Sequence, residues 1–218
     1  MSLEMRMFKN FLSYILILFL LLRCSPGKSD QPLTESYTKL LFLTTADLPC
    51  NPVPYSTSSW NFTDASEDVK AGFLNVPGPG VGHLDLLSGN VQDNATNVTF
   101  SLNLSSIPET LGVNLSVDLT EPEYEWTYSF FGGNSYKIGI VHYSQGSAQR
   151  IQFRNLDVMI WRNLSYIGGC GNLDVQGNTV RWVCEKNTIP QLAELSQTAT
   201  VTVGASAKNN GIRYSDCR

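Results

Sequence analysis

Histidine is almost missing from this chain: His83 and His142 are the only two in 218 residues. Catalytic triads and multi-histidine metal centres each need histidine beside specific partners, so two residues leave little room for either. The segments G-x-S-x-G, the P-loop and H-E-x-x-H are absent as well. Basic clusters are also lacking. The formal net charge is −4 and only 16% of residues are charged, so nucleic-acid binding has no local source of phosphate neutralisation. There is no internal repeat and no low-complexity tail.

What is present begins with an export leader. Arg6 and Lys9 precede the uncharged apolar run Phe11 to Leu22, which ends at Arg23 and Cys24. A run of that length suits a signal peptide and falls short of the ~20 residues of a spanning helix. Two exits from the leader compete. Leu21-Leu22-Arg23-Cys24 resembles a bacterial lipoprotein signal, with Cys24 as the lipidated residue, although Arg23 departs from the small residue usual there. The rival is cleavage after Gly27, where Ser25 and Gly27 are small. A third outcome, retention of the run as a short N-terminal anchor, would also tether the chain to a membrane. Residues 1–27 are therefore read as leader, 28–55 as a tail or linker, and 56–218 as one folded domain.

Four cysteines remain after Cys24, which in an exported chain implies two disulfides. Cys170 and Cys184 stand equidistant from Gly177 in the turn signal Gln176-Gly177-Asn178, so a bridge across that hairpin is feasible. Cys50 then pairs with Cys217 and ties the start of the domain to its end. A zinc site is the rival reading, and the wide spacing of the cysteines disfavours it. Six sequons begin at Asn61, Asn94, Asn97, Asn103, Asn114 and Asn163. They would carry sugars in a glycosylating host and act as polar strand residues elsewhere.

Period-2 alternation dominates from Leu84 onward. In Asn97 to Leu104 the apolar residues Val98, Phe100, Leu102 and Leu104 alternate with polar ones, and Val113 to Leu119 repeats the pattern. Further strands are expected at Tyr124 to Phe131, Tyr136 to Tyr143, Val158 to Leu164, Thr179 to Glu185 and Thr198 to Ala207. Strands of this length and spacing predict an all-β, antiparallel β-sandwich, immunoglobulin-like or jelly-roll-like. One short helix is expected at Ile189 to Leu195, with Pro190 in its first turn.

Carboxylates are the strongest candidates for chemistry. Asp64, Glu67, Asp68 and, beyond the Pro77-Gly78-Pro79-Gly80 turn, Asp85 offer hard oxygen ligands on loops, the donor set calcium takes; solvated turn caps are the plainer alternative. Glu121, Glu123 and Glu125 raise a glycosidase-like pair. Trp60, Trp126 and Trp161 are candidate sugar-stacking residues, and Trp182 shares parity with core positions. Trp126 lies with Tyr124, Tyr128 and Phe130 on one strand face, which is either a binding strip or a wall of the core.

Taken in order, Trp60-Asn61-Phe62, the Asp64-x-x-x-Asp68 loop, Asp85 entering a strand, Phe100 to Leu104 before Ile107-Pro108, the aromatic strand at Tyr124, and Thr179 to Val183 before Ile189-Pro190 form a recurring series. Over about residues 56–207 this series resembles the DOMON-like and family-9-carbohydrate-module-like β-sandwiches. The resemblance implies an extracytoplasmic module that binds sugars or haem, with Asp64, Asp68 and Asp85 around a structural calcium. Glu67 stands where those proteins commonly have glycine, and His142 with Met159 is the one haem-ligand pair available. The expected function is an exported, non-catalytic binding module, secreted or surface-anchored, with extracellular carbohydrate as the favoured ligand. A structural or adhesive envelope protein presenting loops to a protein partner is the alternative, and a carboxylate hydrolase a third.

Overall fold

A computed structural model describes residues 50–55, 59–71, 76–77, 81–112, 122–143, 150–209 and 212–218. The leader with Cys24, the strand expected at Val113 to Leu119, Asn114 and Glu121 lie outside the described residues. Short strands β1 (Val53–Pro54), β2 (Ser59–Thr63), β3 (Lys70–Ala71) and β4 (Val76–Pro77) precede the long β5 (Leu86–Asp93) and β6 (Asn97–Leu104). Next come β7 (Thr110–Gly112), β8 (Tyr124–Phe131), β9 (Tyr136–His142), β10 (Arg150–Gln152), β11 (Asp157–Arg162) and β12 (Ser165–Gly169). The chain closes with β13 (Asp174–Gln176), β14 (Thr179–Glu185), β15 (Thr200–Asn209) and β16 (Ile212–Cys217).

The fold is an all-β, antiparallel sandwich. Its larger sheet runs β12-β11-β9-β8-β15-β16-β3-β4, with β1 also paired to β15, and its smaller sheet runs β13-β14-β6-β5-β2. Strands β7 and β10 form a separate ribbon. The expected helix is a 3-10 helix, Pro190–Gln197, with Pro190 in its first turn and Leu192 and Leu195 buried beneath it. Its N-terminal neighbour Ile189 is buried as well. Among the described residues no helix is long and apolar enough to cross a membrane.

The domain begins earlier than the sequence suggests. Val53 and Pro54 pair with Val201 and Thr200, and Tyr55 is buried against Phe130 at 5.0 Å between ring centroids. Both expected disulfides are present. Cys50–Cys217 ties this entry segment to β16, and Cys170–Cys184 joins the β12–β13 connection to β14. They place the fold in an oxidising compartment. In the chain-entropy model, loops of 167 and 14 residues correspond to about 5 and about 3 kcal/mol of stabilisation.

Aromatic side chains fill the space between the sheets. Phe100 and Trp182, cross-strand partners on β6 and β14, stack 5.5 Å apart, and Tyr128 of the opposite sheet meets them at 5.3 and 5.9 Å. The Tyr128 hydroxyl crosses the sandwich to donate to the Ser101 carbonyl at 2.6 Å. Glycine at 89 leaves room for it. A Cβ there would fall 2.5 Å from the Tyr128 hydroxyl and 2.6 Å from the Ser101 carbonyl.

A double-mutant cycle tests this contact. Gly89→Ala should destabilise by about 1–3 kcal/mol through overpacking, and Tyr128→Phe by about 1–3 kcal/mol through loss of the buried hydrogen bond. Because removing the hydroxyl frees part of the space the new methyl needs, the double variant should lose less than the sum in urea unfolding. Strict additivity would contradict the geometry.

Candidate functional site

Three remote parts of the chain meet at the seam between the sheets. The turn after β2 carries Asp64 and Asp68, the approach to β5 carries Asp85, and β16 carries Asp216. Carboxylate oxygens of Asp64, Asp68 and Asp216 lie within 4.8 Å of one another. Asp216, 4% exposed, is held from both sides of the seam: it accepts from the Leu86 amide of the smaller sheet at 2.7 Å and from the adjacent Cys217 amide at 2.7 Å. Asp85, 2% exposed, adjoins the cluster, and its Oδ2 accepts from the Glu67 amide at 3.0 Å.

Burial and mutual repulsion govern these groups. Burial pushes the Asp216 carboxyl up to about 6; the amide hydrogen bonds oppose this, and the charges of Asp68 and Asp64 add to it. Burial likewise raises Asp64, with Asp68 and Asp85 contributing, against the Ala65 amide and Arg218. Arg218 stands 3.6 Å from Asp64, but its side chain is 56% exposed and therefore screened. Three buried oxygens, Asp64 Oδ2, Asp68 Oδ1 and Asp85 Oδ1, have no hydrogen-bond partner among the described residues. Such groups are rare and expensive in folded proteins.

No protein-family model, curated protein or solved structure matches this chain. The site is therefore read from its own residues. Of the expected trio, Asp64 and Asp68 lie in the cluster, whereas Asp85 adjoins it through the Glu67 amide and its place among the three close carboxylates is taken by Asp216, which sequence reasoning missed. Its signal was the neighbouring Cys217: a bridge from Cys50 to Cys217 necessarily carries residue 216 toward the start of the domain.

Glu67 has a backbone φ of 64°, the left-handed region that favours glycine. The glycine that the resemblance leads one to expect there would relieve this strain while keeping the amide bond to Asp85. Glu67 also adds a further acid to a crowded loop.

Other expected sites fare differently. Trp60 and Trp126 do not form a ligand platform. Trp60 is 6% exposed and packs on Phe62 and Tyr128, while Trp126 is 0% exposed and donates to the His83 carbonyl at 2.6 Å. Their strand face turns inward, so the aromatic row on β8 is a core wall. Trp161 faces outward. A haem clamp by His142 and Met159 fails on parity: Met159 lies opposite Gly139, and His142 stands three positions further along β9, so the two point to opposite faces.

Glu123 is buried with its carboxylate 3.9 Å from His142, whose imidazole burial pushes down, and Glu125 pairs with Lys137. His83 is lowered to about 4 by burial among Tyr124 and Trp126. Of the sequon asparagines, Asn61 is exposed on the edge strand β2, and Asn97 and Asn103 are part-exposed on β6. Asn94 donates to Asn97 at 2.8 Å, and Asn163 donates to Asn134 at 2.9 Å.

Replacing Glu67 with glycine should raise stability by up to about 1 kcal/mol in urea unfolding without added metal, because the left-handed strain is relieved. A loss of stability would show that the Glu67 side chain holds the loop in place.

Proposed function

We propose that this chain is an exported, non-catalytic binding module whose sandwich is closed by a calcium ion held among Asp64, Asp68, Asp85 and Asp216. The observation that carries the reading is the set of three buried carboxylate oxygens, on Asp64, Asp68 and the adjoining Asp85, that have no hydrogen-bond partner among the described residues, beside the buried Asp216. Two like charges within 4.8 Å of each other repel by about 3 kcal/mol at an effective dielectric of about 20. A divalent cation converts that repulsion into attraction and supplies the missing partners.

The donor set favours calcium. Every ligand is a hard oxygen, and the groups come from loops and strand ends whose geometry suits a large, flexible coordination shell. The neighbouring cysteine, Cys217, is committed to a disulfide, and no histidine belongs to the cluster, so the nitrogen and sulfur donors that zinc prefers are missing.

Export is supported by the leader at Phe11 to Leu22 together with the two disulfides. Attachment through Cys24, or release after Gly27, then decides whether the module works on the cell surface or free of it. Extracellular carbohydrate is the ligand class we favour, since an outward tryptophan, Trp161, remains after the core has taken the others. An adhesive role toward an envelope protein is the alternative.

The cation is tested by thermal unfolding of the mature protein. At calcium about 100-fold above its dissociation constant the ion adds about 2.7 kcal/mol, which raises the melting temperature by about 5–10 °C for a fold of this size. EGTA should reverse the rise. Asp68→Asn, at a part-exposed position, should melt no lower than the metal-free protein yet lose the calcium response. A wild-type melting temperature indifferent to both calcium and EGTA would refute the site, as would a full calcium response in the Asp68→Asn variant.

A further inference from the structure

The outward face of the larger sheet carries a line of interacting groups, one from each of six neighbouring strands. On β12, Tyr166 is 61% exposed. Its register partner on β11 is Trp161, and the two rings meet edge to face at 6.2 Å. Lys137 on β9 is the next partner along, with Nζ 5.9 Å from the Trp161 ring. The same ammonium pairs with Glu125 of β8 at 2.5 Å. Glu125 accepts from Ser206 of β15 at 3.2 Å, and Ser206 accepts from Arg213 of β16 at 3.2 Å.

Five strand spacings of about 4.8 Å carry this line roughly 24 Å across the sheet, and it runs obliquely, because the β8 register partner of Lys137 is Ser129, four residues from Glu125. Its chemistry changes along its length, from exposed Tyr166 and half-buried Trp161 at the β12 edge to a chain of donors and acceptors over β9, β8 and β15, of which Lys137 is the most exposed and Ser206 is buried. The aromatic end is also held in place. Asn163 and Leu164 turn the β11–β12 hairpin with φ of 49° and 67°. Asn163 pins that turn by accepting from the Ser135 amide at 2.9 Å and donating to Asn134 at 2.9 Å. Tyr166 is thus presented from a braced hairpin, which lowers the ordering cost of binding.

We infer that this line is an oligosaccharide-binding strip, in which a pyranose ring lies on the exposed Tyr166 ring, with Trp161 set edge to face beside it as a side wall, and the following units meet Lys137 and Glu125. A sugar chain has the matching alternation: the C–H faces of its rings are apolar and their rims carry hydroxyls that both donate and accept. Lys137 donates, Glu125 accepts, and each holds the other's orientation, so a hydroxyl rim meets preset partners. A protein partner is less well matched, because the middle of the line is charged and hydrogen-bonded whereas interface centres are depleted of charge.

This inference rests on the binding-module reading and is independent of the cation. The probe is a printed array of pyranose oligosaccharides, three to six units long, exposed to the disulfide-intact mature protein in calcium. Wild type should be retained on at least one oligosaccharide, and Trp161→Ala and Tyr166→Ala should each weaken that retention at least tenfold. Tyr166 is exposed enough for its variant to fold, and circular dichroism and melting temperature serve as the control.

Retention unchanged in both variants would overturn the strip while leaving a sugar-binding module, with its site elsewhere. No retention of the wild type, with its calcium-linked melting shift intact, would overturn the strip and leave the cation-closed fold standing.

Discussion

Like charge confined at the seam between the two sheets is the constraint on which the rest of this structure turns. Asp216 belongs to the last strand of the larger sheet and accepts the first amide of β5 in the smaller one, so one carboxylate fastens both layers. The Cys50–Cys217 bridge holds the adjacent residue, which leaves that carboxylate little freedom to retreat from Asp64 and Asp68. A hydrophobic core alone would not place three acids here. Without a cation their mutual repulsion and lost hydration oppose the closure that the aromatic core favours. With a cation, as proposed, the same groups become a tie between the layers.

The two faces of the larger sheet divide the work. Inward positions on β8, Trp126, Tyr128 and Phe130, are fully buried and anchor the sandwich, and the Tyr128 hydroxyl reaches the opposite sheet over Gly89. Outward positions on the same and neighbouring strands carry Glu125, Lys137 and Trp161, whose contacts run across strands within one layer. Alternation of side chains along a strand makes this separation possible, since stability and the proposed recognition occupy opposite parities of one backbone. Substitutions for recognition can therefore vary without disturbing the aromatic packing.

Much of the fold was legible because strict alternation leaves few readings. Asn97 to Leu104, Tyr124 to Phe131 and Thr179 to Glu185 are strands with the bounds their patterns indicate. Strands β12, β13 and β16 were missed. β12 ends in two glycines and β13 has three residues, while β16 carries only a short mixed-polarity run, and cross-strand pairing rather than local propensity holds them in the sheet. The linker reading failed at Val53–Pro54 for the same reason, since pairing with β15 has no local signature. Trp60 and Trp126 could not be assigned from parity, which separates two faces without saying which is covered. Asp216 lies 131 positions beyond Asp85 in the chain, and only the disulfide beside it hinted at the meeting. Glu67 was visible as a departure from a glycine, but its left-handed backbone was not.

The central claim is that a cation sits among these carboxylates. Its most direct test is an anomalous-difference map from crystals of the mature, disulfide-intact protein grown in calcium. The account predicts a calcium peak about 2.3–2.6 Å from oxygens of Asp64, Asp68 and Asp216, with Asp85 either bound directly or bridged by water. A map with no anomalous peak in the pocket, and with ordered water or a basic side chain satisfying the three carboxylate oxygens instead, would contradict it.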